Sequence, residues 1–325
     1  MKKKKLGGTD LEFTSIGLGT FAIGGPDWAA GWGPQDDNES IGAIRHALEL
    51  GINWIDTAPV YGLGKAEEIV REAVKDLKIK PFIATKCGMV WDKYRNISGM
   101  LKKESVRKEV EASLRRLGVD VIDLYQIHWP DPDEDLEEAW STMSELVKEG
   151  KVRYIGVSNC DVAKLERIKD IHPVASLQPP YSMIIRDVED EILPYCKSNN
   201  IGVIPYSPMQ RGLLTGKFTK ESVQKLDKKD HRLGTSYFKE PELSINLKFI
   251  DRLRPIAEKN KKSPAQLAIA WVLRRSEVTA AIVGARRPSQ IEETVTAGDW
   301  ILEESDIKII DKLLEERKGE INSLK

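Results

Sequence analysis

Four side chains with complementary chemistry fall at or near the ends of short apolar segments. Asp56 and Tyr61 lie five positions apart across a turn, and Lys86 and His128 each close a later apolar run. A carboxylate at the end of a buried strand is costly unless a cation answers it. Asp56 and Lys86 are therefore predicted to form an ion pair, with Tyr61 and His128 close by.

This combination suits the reduction of a carbonyl group. A free tyrosine titrates near pH ~10 and an adjacent ammonium favours the phenolate, so Lys86 is predicted to lower the pKa of Tyr61. Tyr61 would then act as a general acid near neutral pH, and His128 would donate a hydrogen bond to the same substrate oxygen. Taken singly, each residue is more often a structural ion-pair partner, a core histidine or a rim aromatic. Their joint occurrence at strand ends favours catalysis, because barrel enzymes place their chemistry there.

The elements that must position these residues alternate between strand and helix patterns with short loops. Strands two to eight are predicted to end near residues 56, 86, 128, 157, 178, 206 and 284. Eight βα units without a break in composition predict an α/β fold, a (β/α)8 TIM barrel, as one domain over residues 1–325. A doubly wound sheet is the alternative, with fewer strands and a phosphate-binding fingerprint.

The segment 17–22, GLGTFA, satisfies that fingerprint only loosely. The fingerprint must open a helix at once, whereas Pro26 follows and the next helical pattern starts near Asn38. The segment is therefore interpreted as the first barrel strand and a glycine-rich loop.

Three further patterns concern helices and loops. Ser263 and Gln266 form a predicted capping box, and Ser289 with Glu292 forms another. Residues 207–247 are long and polar for a barrel loop, which indicates a lid or clamp. An extra amphipathic helix is predicted near the C-terminus, after residue 294.

In this order and in these strand-end contexts, Asp56, Tyr61, Lys86 and His128 resemble the catalytic tetrad of the aldo-keto reductases. The resemblance extends from residue 16 to about residue 294. The bacterial and potassium-channel β-subunit branches of that family carry a segment similar to residues 206–217. The resemblance implies a barrel closed at the bottom by an N-terminal hairpin. It also implies a nicotinamide cofactor, because no side chain can supply a hydride.

The later strand ends match such a cofactor. Ser158, Asn159 and Gln178 offer neutral groups for a carboxamide, although each also fits a turn cap, and Tyr206 offers a ring for stacking. The predicted cofactor-binding residues are Gly19, Thr20, Phe21, Asp56, Ser158, Asn159, Gln178, Tyr206, Ser207, Pro208, Met209, Gln210, Arg211, Gly212, Leu213, Lys217, Arg232, Gly284, Ala285, Arg286, Gln290, Glu293 and Thr294.

Charge distinguishes the two ends of this predicted site. Glycines beside Arg211 and Lys217 suit a pyrophosphate, and Arg232 either joins them when the loop closes or is solvated. Arg286 is predicted to pair with a 2′-phosphate, so NADPH is expected in preference to NADH. Thr294 stands where the related pattern often has Asn, which leaves that adenine contact open.

Aromatic residues after strand ends predict a hydrophobic substrate pocket. Its predicted walls are Trp28, Trp32, Trp91 and Trp129, which suit aldehydes and ketones with apolar or aromatic groups. The individual substrate and the oligomeric state are not readable from the sequence.

Composition limits the other classes. The net charge of -1, from 50 basic and 51 acidic residues, provides no overall field for nucleic acid or an anionic membrane. The basic run 2–5 is followed by no apolar segment, so no secretory signal is predicted. Three widely spaced cysteines without a CxxC pair favour a reducing, cytoplasmic setting, and Cys87 is either an inert buried thiol or, beside Lys86, a redox-sensitive one.

The sequence leaves two other functions open. A cofactor-binding redox sensor or channel-associated subunit of the same fold would keep the tetrad but turn over slowly. A metal-dependent hydrolase or lyase lacks a plausible ligand set, because only His128 of the four histidines ends a predicted strand. No metal is expected.

Overall fold

The computed structural model describes residues 1–26, 28–228 and 230–324. Its strands within these ranges are β1 (Lys3–Lys5), β2 (Glu12–Thr14), β3 (Ile16–Gly19), β4 (Trp54–Asp56), β5 (Phe82–Cys87), β6 (Met89–Trp91), β7 (Ile97–Gly99), β8 (Ile122–Ile127), β9 (Val152–Ser158), β10 (Ser176–Gln178), β11 (Gly202–Val203) and β12 (Ala281–Gly284).

The α-helices of the same ranges are α1 (Asp37–Glu49), α2 (Lys65–Val74), α3 (Lys103–Leu117), α4 (Leu136–Lys148), α5 (Val162–Ile168), α6 (Ile192–Ser198), α7 (Lys220–Gln224), α8 (Glu242–Lys259), α9 (Pro264–Leu273), α10 (Pro288–Val295) and α11 (Glu304–Asn322). Short 3-10 turns fill much of the connection between β11 and α8.

Eight strands form one parallel sheet in the order β11-β10-β9-β8-β5-β4-β3-β12. The sheet curls until its two edges meet, since Thr279 N donates to Val203 O at 2.8 Å and Ile282 N donates to Pro205 O at 2.9 Å. Closure satisfies backbone groups that an open edge would leave unpaired. The predicted (β/α)8 barrel is confirmed, and its strands run parallel so that their carboxyl ends share one face.

The N-terminal hairpin of β1 and β2 closes the opposite end of the barrel, as the resemblance implied. Phe13 on β2 stacks on Trp54 of β4 with ring centroids 4.4 Å apart, and the Trp54 indole donates to Thr14 O at 3.0 Å. Gly17 in β3 gives this indole its space, because a Cβ there would lie 2.0 Å from the ring. The bottom of the barrel is therefore a packed core and not a site.

Helix signals in the sequence were partly correct. The Ser263 capping box is present, with Ser263 accepting from Gln266 N at 3.3 Å and Gln266 accepting from Ser263 N at 2.7 Å. The predicted box at Ser289 is wrong, because α10 begins at Pro288, whose fixed φ suits the first helical position. Gln290 instead reaches back and accepts from Arg286 N at 2.7 Å.

The sequence pattern does not predict helix α8, because its first residues fall in the long polar loop 207–247. Its buried Leu243, Phe249, Ile250 and Leu253 do follow a helical period, but Pro255 disfavours a helix interior. The C-terminal helix α11 is confirmed and packs on α8, where Arg317 Nε donates to Asn246 Oδ1 at 2.8 Å.

Candidate active site

The four predicted catalytic residues meet at the carboxyl-end face of the barrel. Asp56 ends β4, Lys86 lies in β5, His128 follows β8 directly, and Tyr61 lies in the turn after β4. Lys86 Nζ donates to Asp56 Oδ2 at 2.7 Å and Oδ1 at 2.9 Å, and to Tyr61 Oη at 3.3 Å. The Tyr61 and His128 rings lie edge to face with centroids 5.6 Å apart. The predicted ion pair and the predicted proximity are both present.

Burial dominates the electrostatics of this cluster. It raises the pKa of Tyr61 well above the usual value, and the Asp56 carboxylate raises it further. The prediction that Lys86 lowers the pKa of Tyr61 is therefore wrong for this state, because the phenol is desolvated and a carboxylate lies beside the lysine. Burial also lowers the pKa of Lys86, against the opposing effect of Asp56. The neutral phenol is the favoured form of Tyr61.

His128 and Cys87 are affected by the same burial. The pKa of His128 falls well below its usual value because of burial first and the Lys86 charge second, so the imidazole is neutral at pH 7. The pKa of the Cys87 thiol is raised well above its usual value by burial. The structure therefore favours the inert thiol over the redox-sensitive one at this position.

A cavity of about 620 Å³ opens above the tetrad. The predicted cofactor-binding residues that line it are Gly19, Phe21, Asp56, Ser158, Asn159, Gln178, Tyr206, Ser207, Pro208, Met209, Arg211, Gly212, Lys217, Arg232, Gly284, Ala285, Arg286, Gln290, Glu293 and Thr294. Residues from the two ends of the sheet and from the long loop are thus brought to one space.

Three predicted cofactor contacts do not line this cavity. Thr20 is buried and its hydroxyl donates to Asp56 O at 3.1 Å. Gln210 is also buried, and its Oε1 accepts from Ser182 Oγ at 2.9 Å. Leu213 belongs to the hydrophobic core. These side chains support the loops that carry the lining residues.

The amides predicted to meet a carboxamide are already bonded to the barrel. Asn159 donates to His128 O at 2.9 Å and accepts from Tyr206 Oη at 2.9 Å, while Ser158 Oγ donates to Gln178 O at 2.7 Å. Gln178 Nε2 donates to Asp56 Oδ1 at 2.8 Å, which connects these side chains to the ion pair of Asp56 and Lys86. These bonds fix the orientation of the amides and reduce their free hydrogen-bonding capacity.

The cations around the cavity are paired within the protein. Arg211 Nη1 lies 3.0 Å from His231 Nδ1, and Lys217 Nζ lies 2.5 Å from Glu293 Oε2. Arg232 binds Asp230 through two bonds of 2.9 and 2.6 Å. An anion that binds Lys217 or Arg232 would therefore compete with the carboxylate of Glu293 or Asp230, whereas one that binds Arg211 would meet a contact with a histidine.

The substrate side is aromatic, as predicted, but its membership differs. Trp28, Trp32 and Trp129 line the cavity, and Phe21 packs against Trp28 and Trp32 at centroid distances of 5.0 and 5.7 Å. Trp91 does not line it: Trp91 lies at the far end of β6 from Met89 and pairs with Ile97 of β7. The indole N–H groups of Trp28 and Trp32 have no hydrogen-bond partner among the described residues.

Sequence reasoning missed several lining residues, including Met89, Phe218 and His231. Met89 directly follows the loop that starts at Gly88, so its position after a strand end was an available signal. Phe218 and His231 lie within the long loop, where no periodic pattern marks an inward-facing side chain.

The described part of the chain shows neither a metal-binding cluster nor a membrane-spanning helix. No group of three or more His, Cys, Asp or Glu side chains within residues 1–26, 28–228 and 230–324 is placed to hold a metal ion. In the same ranges, no helix is both long and apolar enough to cross a membrane.

Comparison with known proteins agrees with this geometry. The model of the aldo/keto reductase family matches residues 15–315. The chain is 39% identical to the aldo-keto reductase YhdN of Bacillus subtilis over 97% of this chain and 94% of that protein. It is 35% identical to the NADH-specific methylglyoxal reductase of Escherichia coli over 97% of this chain and 99% of that protein.

A solved structure of a glycerol dehydrogenase, AKR11B4 from Gluconobacter oxydans, superposes with a TM-score of 0.89 at 37% identity, over 97% of this chain and 95% of that one. The fold, the strand-end cluster and the family match agree over nearly the whole chain. This protein therefore belongs to the aldo/keto reductase family of oxidoreductases and is an enzyme.

Proposed function

We propose that this enzyme reduces aldehydes and ketones to alcohols with NADPH, and that Tyr61 is the general acid. The observation that carries the proposal is the contact of Lys86 Nζ with both Asp56 and Tyr61 Oη at the floor of an aromatic cavity. A protonated phenol held beside a buried ammonium can release its proton to an oxygen that gains negative charge.

The residues around the cavity fit a nicotinamide dinucleotide by their chemistry. Amides lie beside the tetrad, the Tyr206 ring offers a stacking face, and Arg211 and Lys217 offer charge to a pyrophosphate. Arg286, Gln290 and Glu293 would meet the adenosine end. Such a cofactor supplies the hydride when bound.

The protein's own residues then handle the proton and the developing charge. Tyr61 is protonated at neutral pH because burial raises its pKa. Its proton passes to the substrate oxygen, and Lys86 stabilises the phenolate that remains. Neutral His128 donates its N–H to the same oxygen, and Asp56 orients Lys86 through both carboxylate oxygens.

Apolar walls support a substrate with a hydrophobic or aromatic group. Phe21, Trp28, Trp32 and Trp129 surround the space above Tyr61. The relatives are named for a dicarbonyl reduction and a polyol oxidation, which supports carbonyl–alcohol chemistry without fixing the direction in the cell. The preference for NADPH is supported by the adjacent charges of Arg286 and Arg287.

Single-turnover oxidation of bound NADPH by an aromatic aldehyde tests the proposal, with wild type beside Tyr61→Phe and NADH as the control cofactor. We expect the variant to bind NADPH as wild type does and to react at least about 10²-fold more slowly, the usual effect of losing a general acid. If wild type binds NADPH tightly but reacts no faster than the variant, Tyr61 is not the acid. A slow redox sensor would then be the better interpretation.

A further inference from the structure

The guanidinium of Arg286 is held by the loop that precedes α1. Its Nε donates to Gln35 Oε1 at 2.6 Å, its Nη1 donates to Trp32 O at 3.3 Å, and its Nη2 donates to Pro34 O. The contact joins residues 251 positions apart in the chain. Arg286 therefore lines the cavity with its nitrogen atoms already engaged.

Gln35 is held in place by the start of α1. Its Nε2 donates to Arg286 O at 2.9 Å and to Ser40 Oγ at 2.9 Å, so it bonds both the side chain and the backbone of Arg286. Ser40 Oγ donates in turn to Asp36 O at 2.8 Å, and Asp36 caps α1 by accepting from Glu39 N at 2.9 Å. These bonds already fix the Gln35 side chain, so its contact with Arg286 costs little additional conformational entropy.

A phosphate group and Gln35 compete for the same edge of Arg286. Strong recognition of a phosphate by arginine uses two parallel N–H bonds from one edge of the guanidinium. The edge formed by Nε and Nη2 is bound by Gln35 Oε1 and Pro34 O. A 2′-phosphate that binds this edge must displace Gln35.

We propose that Gln35 is a specificity-determining residue for the 2′ position of the bound adenosine. By occupying Arg286 it weakens the binding of 2′-phosphorylated nucleotides and leaves the binding of unphosphorylated ones unchanged. The inference rests on the proposed binding of a nicotinamide dinucleotide, and it adds a residue on a different loop from the charges that attract the phosphate.

Two substitutions of Gln35 should change the affinity for a phosphate in opposite directions while the neighbouring cations stay in place. Arg287 is exposed and follows Arg286 in the chain, while Arg232 is paired with Asp230. Gln35→Ala frees the Nε of Arg286, leaves the bond from Nη2 to Pro34 O, and keeps every positive charge. Gln35→Glu keeps the length of the side chain but pairs Arg286 with a carboxylate that also repels phosphate.

The experiment is an isothermal titration of the protein with adenosine 2′,5′-bisphosphate and, separately, with adenosine 5′-monophosphate. For Gln35→Ala we expect the affinity for the bisphosphate to rise on the order of tenfold, which corresponds to about 1.4 kcal/mol. For Gln35→Glu we expect it to fall by a similar factor. Affinity for the monophosphate should stay within about twofold in both, which also checks that the variants are folded.

Arg287→Ala is the matched control, because it removes a neighbouring positive charge and keeps the contact between Gln35 and Arg286. If both Gln35 variants leave the ratio of the two affinities unchanged while Arg287→Ala lowers it, the phosphate binds Arg287 and the proposal is wrong. Equal changes for both ligands would make Gln35 merely structural and would also overturn it. Because no turnover is measured, a wild type that reduces no carbonyl would defeat the proposed function alone.

Discussion

Replacing Lys86 with Met should separate the stability of the active site from its activity. In the wild type the ammonium is fully buried, contacts both oxygens of Asp56, and donates to Thr57 O at 2.9 Å. Asp56 is 3% exposed. Removing the lysine therefore leaves a carboxylate without a cation in a site that water scarcely reaches.

We expect Lys86→Met to lower the free energy of unfolding by about 3–5 kcal/mol at pH 7, the cost of leaving one charge of a buried pair unanswered. The bond from Gln178 Nε2 to Asp56 Oδ1 persists and places the loss toward the lower end. Adding Asp56→Asn removes the unanswered charge and keeps an acceptor for Gln178. The double variant should recover most of the stability and none of the activity.

The pH dependence of the stability loss tests whether the charge of Asp56 causes it. The unanswered carboxylate takes up a proton more readily in the folded chain than in the unfolded chain, so the loss in Lys86→Met should shrink as pH falls from 7 toward 4. Urea unfolding followed by circular dichroism at several pH values measures this. Lys65→Met is the control, because its partner Asp37 is half exposed and such surface pairs contribute about 1 kcal/mol or less.

A Lys86→Met variant within about 1 kcal/mol of wild type at pH 7 would refute this expectation and would mean that water or another cation compensates Asp56. A double variant as unstable as the single one would refute it too, because the loss would then not come from the charge of Asp56.

Three further predictions concern stability away from the cavity. Burial raises the pKa of Glu109 from 4.5 to about 7. The stability gained because the folded chain holds this proton more tightly than the unfolded chain is therefore full below pH 4.5 and is lost as pH rises through 7. Glu109→Gln should therefore remove about 2–3 kcal/mol of the fall in unfolding free energy between these pH values, measured by urea titration. In the wild type Arg116 lies 2.6 Å from the fully buried carboxylate of Glu67, and Arg116→Met removes this cation. We expect the free energy of unfolding to fall by about 3 kcal/mol, and an unchanged value would contradict a buried ion pair. Gly17→Ala places a methyl group 2.0 Å from the Trp54 ring, so we expect a lower melting temperature than that of wild type. An unchanged melting temperature would contradict this close packing.

The sequence determined the architecture and the tetrad because both depend on local patterns. Apolar runs that end in a charge or a ring predict strand ends, and parallel barrel strands bring their carboxyl ends to one face. The positions of Asp56, Tyr61, Lys86 and His128 followed from that rule, and the structure brings the four together.

The tertiary structure decided the quantities that depend on burial and on partners distant in the chain. The pKa of Tyr61 is raised because the phenol is enclosed, which the identity of its neighbours could not reveal. Trp91 lies outside the cavity while Met89, at the other end of the same hairpin strand, lines it. Arg286 is engaged by Gln35 from a loop 251 positions away, because the closing strand of the barrel places β12 beside β3. Spacing along a chain predicts which groups end a strand, but only the closed barrel determines which groups desolvate and bind one another.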